Sequence, residues 1–251
     1  MCITKDTMRA MRFKFLLILL VCSATGYAQD IHVRVDTTQR IPRLGPNRLF
    51  HYDLCMGAGL ITGPKQNGAA TNWWSSSISI AARGKLKLWS WESLVLDLGY
   101  RYDRYSINQK KVKRLPIDPL AHQRERISVS NFSVAFCNRI SLGRHGNVQG
   151  RFIDAGVYAD WAFRATNVYL DQFFDSNSPA GRARIKTKLS RLNYIEPVNY
   201  GLMFRIGSDN AAFFGQWRLN ELIIDSEDRN YPDLPQLIIG VQLTGWLSGK
   251  Y

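Results

Sequence analysis

His51 and Asp53 are two residues apart, a spacing that puts both side chains on one face of a β-strand and lets an imidazole share a proton with a carboxylate. His122 lies downstream of Ser106 in a polar stretch, the raw material of a base and a nucleophile. No Gly-x-Ser-x-Gly elbow accompanies either histidine. A histidine among polar neighbours more often fills and hydrogen-bonds than catalyses, so the chain is read as non-enzymatic, with no catalytic residue. His32, His51, His122 and His145 are scattered, and no CxxC or HExxH spacing builds a metal site. Neither a metal nor a cofactor is expected.

The charged residues form two further sets. Asp53, Asp97, Arg101, Asp103, Asp154, Asp160, Arg164, Arg205 and Arg218 sit in segments whose alternate residues are apolar. Enclosed with Asn199, Gln216 and Gln242, such charges have to pair, because an unpaired buried charge is strongly destabilising. The second set is basic. Lys110, Lys111, Lys113, Arg114, Arg124 and Arg126 meet only Asp118 and Glu125 across residues 107–126, for a net charge of +4. Arg182, Arg184, Lys186, Lys188 and Arg191 occupy residues 182–191 with no acid, for +5. Clusters of this kind clamp phosphates or acidic glycans through charge-assisted hydrogen bonds.

Strands must position these groups. With 251 residues, 33 Lys+Arg against 20 Asp+Glu, 45% hydrophobic and 12% aromatic residues, the chain suits one folded domain. Disorder and a polytopic helical membrane protein are excluded. Helical periodicity is nearly absent, whereas apolar residues recur at every second position from residue 49 onward. Eight rows are legible. They run Phe50 to Leu60, Trp74 to Leu88, Leu94 to Tyr102, Phe132 to Leu142, Ile153 to Phe163, Val198 to Ile206, Ala211 to Leu219 and Leu237 to Tyr251. In the fourth, Ile127 and Val129 have the opposite parity, and a bulge near Ser130 reconciles them.

Three rows run nine residues before Arg104, Glu196 or Glu221 ends them, and a tilted strand crosses a bilayer in about 9 to 11 residues. Aromatic residues gather at row ends: Trp73 and Trp74, Trp89 and Trp91, Tyr100 and Tyr102, Trp161 and Phe163, and Tyr251. Connections alternate in length. Residues 90–93, 143–150 and 207–210 are short, while 62–72, 107–125, 165–188 and 226–235 are longer and polar. The fold expected is all-β: an eight-stranded antiparallel up-and-down transmembrane β-barrel with short periplasmic turns and longer external loops. A soluble barrel with its apolar face inward shares the alternation and stays open as the competing fold.

The N-terminus supports export. Lys5, Arg9, Arg12 and Lys14 precede the apolar run Phe15 to Val21, and Gly26-Tyr27-Ala28 offers small residues for cleavage. Residues 1–28 are read as a secretory signal peptide, 29–46 as a periplasmic N-terminal segment and 47–251 as the barrel. Loss of the signal removes four basic side chains and one acidic one, leaving 29 basic and 19 acidic residues. Cys55 and Cys137 remain, each a small filler within a strand or one half of a disulfide.

Signal peptide, single barrel, the segments Val95-Leu96-Asp97-Leu98-Gly99-Tyr100-Arg101-Tyr102 and Phe152-Ile153-Asp154-Ala155-Gly156-Val157-Tyr158, and the terminal strand together resemble the PorT-like outer-membrane β-barrel proteins of Bacteroidota. The likeness spans about residues 47–251 and lies in strand patterns. It implies the outer membrane of a Gram-negative bacterium and insertion by the barrel-assembly machinery, but no single shared activity.

Eight strands enclose a lumen just wide enough for side chains, so the inward charges read as a plug and a wide pore is not expected. Asp53, Asp97, Arg101, Asp154, Asp160, Arg205 and Arg218 form that lumen network. The leading expectation is a structural or interaction protein whose basic external loops contact outer-membrane lipids and lipopolysaccharide or glycan. A narrow solute channel, a subunit of an assembly or secretion complex and a lipid-modifying enzyme are the alternatives. Nucleic acid is not an expected partner.

Overall fold

The alternation becomes eleven strands in a computed structural model that describes residues 49–62, 74–107, 122–145, 148–174, 182–208, 210–224 and 234–245. They are β1 (Phe50–Thr62), β2 (Ser76–Lys87), β3 (Glu92–Ile107), β4 (Arg124–Ser141), β5 (Arg144–His145), β6 (Val148–Gln149), β7 (Arg151–Phe174), β8 (Arg182–Ser190), β9 (Val198–Ser208), β10 (Ala211–Arg218) and β11 (Leu237–Thr244). No helix occurs among the described residues. Eight strands close a barrel in the order β1-β2-β3-β4-β7-β9-β10-β11, every pair antiparallel, and β11 returns to β1 through Met56↔Leu243. Closure leaves the barrel wall no free edge.

Face by face, the wall carries most of its charged side chains inside and its apolar rows outside. On β1, His51, Asp53 and Cys55 are buried, while Phe50, Tyr52, Met56 and Leu60 are exposed. On β9, Asn199, Met203 and Arg205 point inward, and Val198, Tyr200, Leu202, Phe204 and Ile206 point outward at about half exposure. The same division holds on β3, where Asp97, Arg101 and Asp103 are inside and Leu96, Leu98 and Tyr100 outside. Cys55 and Cys137 are both buried and free.

At the β1–β11 seam the backbones come close. A Cβ on Gly240 would lie 2.2 Å from the Ala58 carbonyl oxygen and 2.8 Å from the Phe214 ring, which covers the seam from inside. Beyond Thr244 the chain turns at Gly245, whose φ of 97° suits glycine.

Several expectations change. The bulge falls at Ser130/Asn131, but its extra residue lies in the partner strand: Ser130 pairs with Arg164 and Asn131 with Ala162, so β7 carries Phe163 unmatched. Burial on β4 therefore keeps one parity, and Ile127 and Val129 face the interior. On β7 the parity flips at the bulge, which turns Arg164 outward and exposes it. Residues 165–188, expected to be a loop, instead continue β7 to Phe174 and begin β8 at Arg182. These two strands form a hairpin that rises past the barrel wall, Thr166↔Ser190 through Phe174↔Arg182. The second strand is shorter than its apolar row, Ser76 to Lys87, and the last ends at Thr244. The signal and N-terminal segments, Trp73 and residues 246–251 with Tyr251 lie outside the described residues.

Candidate functional site

Inward-facing strand positions converge in the middle of the barrel on a chain of alternating charge. Arg83 on β2 donates from Nε and Nη2 to the two carboxylate oxygens of Asp97 on β3, at 2.7 and 2.8 Å. Arg205 on β9, fully buried, donates to Asp97 at 2.5 Å and reaches Asp154 on β7 at 2.9 Å. Arg139 on β4 grips Asp154 with two bonds, 2.6 and 2.8 Å. Gln242 on β11 accepts from both Arg83 and Arg205. Six strands thus contribute to one network, and Arg205 bridges its two carboxylates.

A second layer lies nearer the rim with the long connections. Arg101 donates to Asp103 at 3.0 Å, to Gln216 at 2.8 Å, and pairs with Asp160; Asn131 donates to Asp103 at 3.0 Å. The Arg101 guanidinium also stands over the Tyr158 ring at 5.2 Å. Between the two layers a cavity of about 30 Å³ is lined by Ser79, Ser133, Gln216 and Gln242 among others. That is room for about one or two waters, not for a solute.

Six acids (Asp53, Asp97, Asp103, Glu125, Asp154, Asp160) and six bases (Arg83, Lys85, Arg101, Arg139, Arg205, Arg218) are buried among the described residues. The formal charges of these twelve residues cancel, in a chain of formal charge +13. Balance of this kind is what a low-dielectric enclosure requires of its charges.

Both mouths are occupied. At the short-turn rim His51 pairs with Asp53, and Arg139 covers the Phe152 ring at 3.8 Å. At the opposite rim an apolar cluster of Ile61, Tyr105, Ile107, Ile127, Val129, Ile195, Leu222, Ile223 and Leu234 fills the opening. Left-handed backbone at Arg191 (φ 60°) ends β8, and Ile195 then bridges to Ile223. Glu196 N donates to Leu222 O and Ile224 N to Tyr194 O, at 2.8 and 2.9 Å, so two connections pair over the mouth. Arg218 pins Leu234 by donating to its carbonyl at 2.8 Å.

Of the lumen residues singled out from sequence, Asp97, Asp154 and Arg205 share the central chain, and Arg101 and Asp160 the second layer. Asp53 sits with His51 at one end, and Arg218 supports the apolar plug at the other. Arg83 and Arg139 were missed, although both stand on the inward parity of their strands. His122 is not paired with Ser106: its Nδ1 lies 2.9 Å from Asp171 and its ring 4.6 Å from that of Tyr169. Of the basic set, Lys110, Lys111, Lys113 and Arg114 lie outside the described residues. Arg182, Arg184, Lys186 and Lys188 belong to β8, with Lys186, Lys188 and Arg191 exposed. No group of three or more metal-ligating side chains occurs among the described residues.

No protein-family model matches the chain, and no curated protein matches it either.

Proposed function

We propose that this protein is a small outer-membrane barrel of the PorT-like kind, a structural or interaction component of a Gram-negative envelope whose outward basic residues meet anionic lipopolysaccharide or glycan. One observation carries the reading: apolar side chains cover the outside of a closed wall whose inside holds balanced charges. In water such a surface is an aggregation hazard. In hydrocarbon it is the required face, and closure satisfies the backbone. Trp89 and Trp91 stack at the short-turn rim with ring centroids 6.4 Å apart, where an interfacial girdle is expected.

A silent barrel follows from the filled lumen. Inserted into planar bilayers, the protein is expected to give no single-channel steps, because ion pairs and the apolar plug obstruct the path. Regular conductance would favour the narrow channel instead. Recovery of the native protein in the detergent-free periplasmic fraction would reject the membrane reading altogether.

Membership of an envelope or secretion complex is the second reading. It rests on β8, the last strand of its sheet, whose far edge pairs with no strand among the described residues. Such an edge is a template for strand addition by a partner. Co-purification from native envelopes tests it.

A further inference from the structure

The outer face of β3, β4, β7 and β8 carries the basic residues in register. Going toward the long-connection rim, Ser130 stands beside Arg164, Arg104 beside Ser128, Arg126 beside Val168 and Val168 beside Lys188, and Arg124 beside Leu170 and Leu170 beside Lys186. Arg104, Arg124, Arg164, Lys186 and Lys188 are exposed and Arg126 is half-buried. None of them is in an ion pair among the described residues. Nearby carboxylates point the other way: Glu125 is buried, and Asp171 is engaged by His122.

Cations flanking Val168 or Leu170 are two strands apart, about 10 Å at the backbone. Two long side chains can reach across that span to one phosphate, with guanidinium and ammonium groups donating to its oxygens.

Directly below, the same face is aromatic. Phe132 packs against Phe163 at 4.7 Å and Trp161 at 6.1 Å, and Tyr100 lies 6.2 Å from Phe163. The bulge is the junction, since Phe163 and Arg164 are consecutive yet both exposed on the outside. The corresponding ends of β9, the neighbour of β7 in the wall, and of β10 are flanked by Glu196 and Glu221. Among the described residues of this rim, exposed positive charge is therefore gathered on β3, β4, β7 and β8.

Resting on the membrane reading above, we infer that this facet is a binding site for a lipid with a phosphorylated head group. Arg104, Arg124, Arg126, Arg164, Lys186 and Lys188 hold the phosphates, and the Tyr100–Phe132–Phe163 shelf supports the acyl chains.

The test uses the full mature chain folded in detergent micelles and native mass spectrometry of retained lipid. The probes are diphosphorylated lipid A, its monophosphorylated and fully dephosphorylated forms, and inorganic phosphate. Retention is expected to fall about tenfold or more for each well-made charge-assisted contact removed. It should fall with each phosphate lost from the lipid and in the triple variant Arg126→Glu/Arg164→Glu/Lys188→Glu. Arg151→Glu, exposed at the opposite rim, should retain lipid like the parent. The Phe132→Ala/Phe163→Ala variant should weaken lipid A without changing the phosphate dependence. If the Glu triple does not fold, the Gln triple at the same positions replaces it. Equal retention by parent and triple, or of phosphorylated and dephosphorylated lipid, overturns the inference. Displacement of lipid A by millimolar inorganic phosphate does so too, since it would identify free phosphate as the ligand. In a parallel insertion assay, a parent chain that fails to enter lipid vesicles at all defeats the membrane reading. One that enters but ignores phosphate defeats this inference alone.

Discussion

Arg205→Met is expected to destabilise the barrel by about 3–5 kcal/mol, the range for removing one partner of a buried charge cluster. Arg205 links Asp97 and Asp154, each also held by a second arginine. Its loss leaves two buried carboxylates facing one another across the space it filled, and the interior changes from six bases against six acids to an excess of acid. Urea unfolding of the folded barrel, followed by tryptophan fluorescence, gives the number. Adding Asp97→Asn to the variant should restore part of the loss by removing one uncompensated charge. A loss under about 1 kcal/mol would mean that the ion pairs are solvated and that the lumen is open to water.

The second large effect concerns the outside. Leu202 lies midway along β9, exposed, between Val157 of β7 and Trp217 of β10. Leu202→Arg is expected to cost about 2–4 kcal/mol of folding into lipid vesicles, as for a cation on the lipid face near the bilayer midplane. Leu219→Arg, at the long-connection end of its row, should cost only about 0–1 kcal/mol, because there the charge reaches the interface. The contrast between depths is the informative result. A water-exposed wall would tolerate both substitutions alike and gain solubility from each.

The rows that define the barrel were legible because each wall strand buries one face and exposes the other, and period two follows from that geometry. Orientation was less secure, since alternation does not say which face is inside; nine-residue rows bounded by charge supplied the argument. The fourth strand was misread for a specific reason. Its interior is polar at Asn131 and Arg139 but apolar at Ile127 and Val129, because the lumen changes from a charged middle to an apolar plug along the axis. Polarity is then no guide to the inside, and the residue pattern breaks parity where the burial does not. The same obstacle hid Arg139. Strand β8 escaped notice because residues 185–190 bury neither face, so Arg-Ala-Arg-Ile-Lys-Thr-Lys-Leu reads as a polar link despite its alternation. The apolar plug at the long-connection rim was not foreseen either. Ile195, Leu222 and Ile223 are isolated apolar residues beside Glu196 and Glu221, and only the pairing of two connections across the mouth gives them a shared interior.

For the candidate site, the polar parity of the strands named most of the lumen charges, but pairing depends on register across the barrel. Asp97 and Arg205 are 108 positions apart. Likewise, the basic residues of β3, β4, β7 and β8 become one facet only through the bulge that turns Arg164 outward.

Site-directed spin labelling along β9 addresses the central claim most directly. With Cys55 and Cys137 replaced by alanine and single labels placed at residues 198 through 206 in lipid vesicles, collision rates with oxygen and with an aqueous nickel complex are measured at each position. Residues 200, 202, 204 and 206 are expected to collide freely with oxygen and poorly with nickel, while 201, 203 and 205 are shielded from both. Ready access of the nickel complex to 202 and 204 would contradict the account, because it would place water where the outward leucine and phenylalanine require hydrocarbon.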